Sequence, residues 1–284
     1  MATQAVTIAQ DASTDAGWRV WGLAIHNALV ALGTLVQTAD TGQANWATAT
    51  RAAGAYEMWA FSDSLQGTAP VFLRIGYGNA GSSPQLITQV GTATNGAGAL
   101  MGNRSSVQTN NLVFTAVAQQ YYFSSTTSRL TCWMEADANH GAGSNAILWS
   151  VERSHDNVGA ETGTGIIFLS VGTSNSTVAW VSQGAGLPAD KELSFPDATI
   201  WSTTGTLIGT QMTAFTVNAL GVNFQVQNPP LSLMLYEASD VGLSAPGTLP
   251  AVTRYGTAHS YINTGTNPVG PGFTGSARFM MLYE

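Results

Sequence analysis

The chain has 284 residues, enough for one or two domains with a substantial core. Only 9% of them are charged, against roughly 25% in an ordinary globular domain, and Lys191 is the one lysine. The net charge of −7 and the scattering of Arg19, Arg51, Arg74, Arg104, Arg129, Arg153, Arg254 and Arg278 exclude a nucleic-acid partner, because no basic patch can neutralise phosphates.

The first ten residues carry no positive charge, so the pattern of a secretory leader is lacking and cytoplasmic synthesis in soluble form is expected. The apolar stretch from Trp18 to Val36 contains Arg19, His26 and Asn27 and follows helical spacing, which argues against a membrane span. Trp18, Trp21, Ile25, Ala28, Leu29 and Leu32 fall on one face of the predicted helix, with Asp15 as N-cap and Gly33 as stop. Arg19, His26 and Asn27 occupy the other side. Trp18, Trp21, Ile25 and Leu29 are the candidate docking face, and residues 1–35 are read as a helical docking segment preceding a β-rich domain, 36–284.

From Tyr56 onward the period is that of strands. Tyr56–Ser62 places Glu57, Trp59 and Phe61 on one side and Tyr56, Met58 and Ala60 on the other. Val71–Tyr77 follows across the loop Asp63–Pro70 as a long-looped hairpin. Further strands are predicted at Gln85–Val90, Leu112–Ala118, Gln120–Phe123, Leu130–Glu135, Ala146–Arg153, Ile166–Val171, Thr177–Ser182, Leu231–Glu237 and Ala277–Tyr283. Short strands separated by Gly, Asn, Ser and Pro clusters favour a mainly β, antiparallel sandwich or jelly-roll with one N-terminal amphipathic helix. Gly91–Thr109 is a candidate subdivision, and Leu243–Gly275 reads as an extended arm or surface crossing. Met-Leu-Tyr-Glu occurs at 234–237 and again at 281–284, which is read as two similar strands.

No constellation for catalysis stands out, and no cofactor is expected. Gly184–Ala189 fits a dinucleotide fingerprint loosely, but Pro188 and the lack of a following apolar helix make it a turn. Ser154, His155 and Asp156 are triad residue types, yet adjacent side chains diverge. Glu135, Asp137 and Asn139 resemble part of a calcium loop without its closing acid, so no metal site is assigned. Cys132 is expected to be a buried, inert thiol, and Trp133, Trp149 and Trp180 to be packing residues. His140, His155 and His259 are expected in exposed loops. The loop 154–165 is the candidate binding tip, through His155, Asp156, Asn157 and Glu161.

Two stretches carry a resemblance. Gly17-Trp18-Arg19-Val20-Trp21-Gly22, continuing through residues 37–46, 56–63 and 69–78, and Val151-Glu152-Arg153-Ser154-His155-Asp156 are similar to structural proteins of tailed bacteriophages. The resemblance implies a non-enzymatic virion protein of the tail, baseplate or tail-fibre type, made in the host cytoplasm and assembled as a homo-oligomer, with a trimer as the first expectation. Its partners would then be copies of itself and other virion proteins, with a host-surface glycan or protein as a further candidate. Lysine scarcity agrees, since lysine is depleted at interface centres and used to protect sheet edges. No heptad or collagen-like repeat is present, so a fibrous shaft is not expected. The alternatives are a capsid decoration protein, and a carbohydrate-binding or polysaccharide-cleaving tail module using Trp59, Glu135, Asp137 and Glu152.

Overall fold

The computed structural model describes residues 1–103, 105, 107–112, 114–134, 147–155, 160–171, 178–183, 191–193, 215–219, 222–226, 233–237, 251–254, 257–264 and 277–284. The chain opens with β1 (Ala2–Gln10) and α1 (Asp15–Leu32), followed by β2 (Leu35–Gln37), β3 (Ala55–Phe61), β4 (Phe72–Ala80) and β5 (Ser83–Thr94). Next come β6 (Leu100–Asn103), β7 (Gln108–Asn111), β8 (Thr115–Thr126), β9 (Arg129–Met134), β10 (Ile147–His155), β11 (Glu161–Val171), β12 (Val178–Gln183) and β13 (Lys191–Leu193). The last strands are β14 (Phe215–Ala219), β15 (Val222–Val226), β16 (Leu233–Glu237), β17 (Ala251–Arg254), β18 (Thr257–Asn263) and β19 (Ala277–Leu282). The fold is mainly β and antiparallel, with one helix among the described residues, and is consistent with a β-sandwich.

Two sheets and the helix share one core. The larger sheet has the order β1-β8-β9-β10-β11-β12-β13, and the other β2-β3-β4-β5-β6 with β7 also on β5. Alternation sends Trp59, Phe61, Leu73, Ile75, Tyr77, Leu86 and Val90 inward from the second sheet, and Tyr121, Phe123, Cys132, Trp149 and Phe168 inward from the first. Helix α1 supplies Trp18, Trp21, Ile25, Leu29 and Leu32 to the same cluster. All six residues of β9 are buried, so the large sheet is covered on both faces. On its far face Trp133 stacks on Tyr122 at 5.0 Å, and Tyr283, just beyond β19, meets the same Tyr122 ring edge-on at 5.6 Å. That places the third sheet, β16-β19-β18-β17, against the back of the first. The two Met-Leu-Tyr-Glu copies lie in β16 and at the end of β19, which pair antiparallel with Met234 opposite Met280.

The helix follows its local signals. The Thr14 side chain accepts from the Gly17 N–H, and Gly33 ends the helix in the left-handed region at φ 65°. The N-cap is therefore Thr14, one residue before the expected Asp15, whose carboxylate instead accepts from the Arg51 N–H at 3.0 Å.

Three expectations about organisation are corrected. Residues 1–35 are not a separate segment: β1 pairs with β8 along its whole length and α1 is embedded in the sandwich. The 91–109 stretch does not divide the domain, because it holds the end of β5, β6 and the start of β7, all in one sheet. The 243–275 region contains the paired strands β17 and β18 rather than only an extended arm. Leu112–Ala118 and Gln120–Phe123 belong mostly to one strand, β8.

Candidate functional site

Helix α1 presents three faces, and each has a different destination. The inner face is buried: Trp18, Trp21, Ile25 and Leu29 are all 0% exposed. Trp18 Nε1 donates to the Gly78 carbonyl at 3.0 Å, and Trp21 Nε1 to the Tyr121 hydroxyl at 2.9 Å. These two bonds tie the helix to β4 on one side and β8 on the other. The four residues expected to dock onto neighbours are thus core residues of their own chain, because both sheets need an apolar filling between them.

The second face meets the 44–57 region. Arg19 Nη1 donates to the Ala49 carbonyl at 3.0 Å. Gly22 lies against the Trp46 indole so closely that a Cβ there would run into the ring. His26 Nδ1 is 2.7 Å from Glu57 Oε1, and Glu57 is completely buried. The same carboxylate accepts from Trp46 Nε1 at 2.9 Å, Trp59 Nε1 at 3.3 Å and the Tyr77 hydroxyl at 2.9 Å. Four donors converge on two oxygens, which is what a charge withdrawn from water requires. The Glu57 bond and charge raise the His26 pKa above its ordinary 6.5, against the opposing effect of burial. Burial beside this carboxylate also pushes the Tyr77 phenol well up. Glu57 sits on the strand face predicted from the sequence. What the sequence did not show is that His26 reaches it. The available signal was an acid sharing an apolar strand face with Trp59 and Phe61.

The third face of α1 points to solvent. Val20 is 63% exposed, Leu23 39% and Val30 53%, and Ala16, Asn27 and Ala31 complete the same side. These residues follow a helical stripe roughly 15 Å long from Val20 to Val30 at 1.5 Å per residue. No charged side chain lies on it, since Arg19 and His26 are turned to the second face. A helix apolar on both its inner and outer sides is one that expects cover on both. Beside it, β1 ends the large sheet with β8 as its strand partner, and none of its nine residues is charged or proline.

The candidate tip is shorter than expected. Strand β10 extends to His155 and β11 begins at Glu161, with those two residues opposite each other in the register. Glu161 accepts a short hydrogen bond from the Ser128 hydroxyl, so its carboxylate is turned to the β8–β9 turn. Asp156 and Asn157 lie outside the described residues, as do Glu135, Asp137, Asn139 and His140. Trp59 and Glu152 are buried. His259 is in β18 rather than a loop, with Nδ1 2.7 Å from Glu284 Oε1. Cys132, Trp133 and Trp149 are buried, in agreement with their reading as packing residues. No helix of the described residues is long and apolar enough to cross a membrane.

Compared with protein-family models, with curated proteins and with solved structures, the chain matches none.

Proposed function

We propose that this chain is a non-enzymatic structural subunit of a tailed-phage virion, of the tail or baseplate, which assembles with further copies of itself through the outer face of α1. The observation that carries the reading is the exposed, charge-free stripe Val20–Leu23–Val30. Two copies of a chain with net charge −7 repel each other in general, and a contact on a neutral apolar face adds least to that repulsion. The uncharged strand β1 lies next to the helix in the chain and adds a sheet end without the lysines that discourage pairing. The virion assignment rests on the resemblance of residues 17–78 and 151–156 to tailed-phage structural proteins, and on the scarcity of charge over the whole chain.

Sedimentation of the full chain and of the variants Val20→Glu and Leu23→Glu tests the assembly. The parent is expected to form a multimer at micromolar concentration, and the variants a folded monomer whose thermal midpoint matches that of the parent diluted to monomer, since exposed substitutions shift stability by only about 0.5 kcal/mol and assembly itself raises the midpoint. A parent that stays monomeric on concentration, or variants that assemble as it does, overturns the docking face. Imaging of particles labelled on this protein tests the virion assignment by placing it on head, neck or tail, or on none of them.

A further inference from the structure

We propose that the outer face of β3, β4 and β5 carries a binding groove for a small carboxylate ligand bearing hydroxyl groups, a sugar acid in type. The groove is open to solvent, has a volume of about 560 Å³ and is lined by Tyr56, Arg51, Arg74, Gly76, Gly78 and Gln85 among others. That volume lies within the range of roughly 300–1,000 Å³ usual for small-molecule sites.

Charge is the first argument. The chain carries sixteen acids against nine lysines and arginines, yet this groove is lined by two arginines and no Asp or Glu; Arg51 has the Asp15 carboxylate 3.9 Å from its Nε and donates to the Ala12 and Gly81 carbonyls, which leaves Arg74 as the charge for a ligand. Arg74 is positioned by two contacts. Its Nε donates to the Gly98 carbonyl at 2.9 Å, and its guanidinium lies over the Tyr56 ring at 4.9 Å. Tyr56 is itself fixed by a short hydrogen bond from its hydroxyl to the Thr41 carbonyl. No carboxylate among the described residues is within ion-pair distance of Arg74. With Nε engaged, the two terminal amino groups are the part of the fork left for an end-on carboxylate.

The glycines are the second argument. Gly76 and Gly78 lie within β4 without a positive φ, so the backbone does not call for glycine, and glycine weakens a strand interior. Space calls for it instead. A Cβ at 76 would stand 3.2 Å from Arg74 Nη1 and 3.0 Å from Ile87 Cβ, and one at 78 would stand 3.0 Å from Gln85 Oε1. The side chains of Ile87, Arg74 and Gln85 take that space, and the glycines leave the β4 backbone in the groove floor uncovered, open to close approach.

The hydroxyl preference comes from an amide. Gln85 Nε2 donates to Asn111 Oδ1 at 2.7 Å, and Gln85 Oε1, an acceptor, lies 3.0 Å from where a Cβ at 78 would stand, against the β4 backbone that lines the groove. A guanidinium for the carboxylate and an acceptor for a hydroxyl proton together describe a sugar acid better than a bare phosphate.

Titration of the full chain with glucuronate, glucose and inorganic phosphate, followed by calorimetry, tests the assignment. Glucuronate is expected to bind, and glucose, which lacks a carboxylate for Arg74, to bind at least about ten-fold more weakly, the factor that one charge-assisted hydrogen bond provides; phosphate, which meets Arg74 but brings no sugar hydroxyls to Gln85, is expected to bind more weakly than glucuronate. Arg74→Gln should weaken glucuronate by about ten-fold or more, and Gly78→Leu should abolish it by filling the floor. The Leu variant keeps Arg74 and so guards against loss of fold in the first variant. Equal binding of glucuronate and glucose, or of glucuronate and phosphate, overturns the proposal, as does glucuronate affinity that either substitution leaves unchanged. The outcome is independent of whether α1 mediates assembly.

Discussion

Replacing Glu57 by Gln asks how much of the helix–sheet union rests on one carboxylate. The side chain is fully buried and accepts from His26, Trp46, Trp59 and Tyr77, two donors on each oxygen. An amide has the same shape but keeps only one accepting oxygen. Its NH2 group faces either Trp46 Nε1 and His26 Nδ1 or Trp59 Nε1 and the Tyr77 hydroxyl; the imidazole in its other tautomer, or the phenol oxygen, accepts from it, but one indole N–H is left buried without an acceptor. A buried donor left unsatisfied costs about 1–3 kcal/mol, and the bonds that remain lose the charge that strengthened them. The substitution therefore costs about 2–4 kcal/mol. That is a large part of the 5–15 kcal/mol by which a domain is usually stable. Urea denaturation followed by tryptophan fluorescence reads the change in midpoint at constant slope. A Glu57→Gln variant within about 1 kcal/mol of the parent refutes the reasoning, because the four donors would then have found other partners at little cost.

Three further outcomes are expected. The raised His26 pKa gives stability that is fully present below the ordinary value of 6.5 and is lost as pH rises through the folded-state value; the urea midpoint should fall with pH in that window, and His26→Gln should flatten the fall. Arg153 is buried with Nε 2.5 Å and Nη2 2.9 Å from the Asp63 carboxylate, so Asp63→Ala should cost about 3–5 kcal/mol by stranding a buried guanidinium, with partial recovery when Arg153→Met is added. If the double variant is no more stable than the single, the stranded charge is not the cause. Burial pushes the Cys132 thiol well up, so thiol reagents should label it only at the rate of unfolding, and fast labelling in the absence of denaturant would contradict its place in the core.

What the sequence disclosed depended on how local each signal was. Helix α1 was legible because its apolar positions and terminal glycine all lie within twenty residues, although the N-cap is Thr14 and not Asp15. The sides of β3 were legible for the same reason: alternation alone separates Glu57, Trp59 and Phe61 from Tyr56, Met58 and Ala60. Strand β1 was not seen, because Ala2–Gln10 mixes Thr and Gln with small apolar residues, and its inward side includes the buried Gln10 beside Ile8. The 91–109 stretch was mistaken for a divider because Gly and Asn usually mark loops. Here they alternate with residues of β6 and β7 that pair onto the long β5. The use of each helix face could not be read at all. A stripe of Trp, Ile and Leu looks the same whether it meets its own sheet or a neighbouring subunit, and only tertiary pairing decides.

Once the faces are assigned, the shortage of charge acquires a spatial meaning. The described charges are largely turned into the chain: Arg19 to the Ala49 carbonyl, Arg51 to those of Ala12 and Gly81, Arg153 to Asp63, His26 to Glu57. Asp40 accepts from Thr38, Thr94 and the Gly98 N–H, and so fastens two loops to each other. Charges engaged in this way do not reach the outer side of α1, and the helix face left outside is apolar and neutral. Arg74 departs from the pattern, since its terminal groups have no carboxylate among the described residues. An arginine held in place by a carbonyl and an aromatic ring, above strand glycines, is a different use of charge from one that fastens a loop. The same economy of charge therefore separates the two surfaces: the neutral stripe suits a second copy of the chain, and the arginine groove suits an anion.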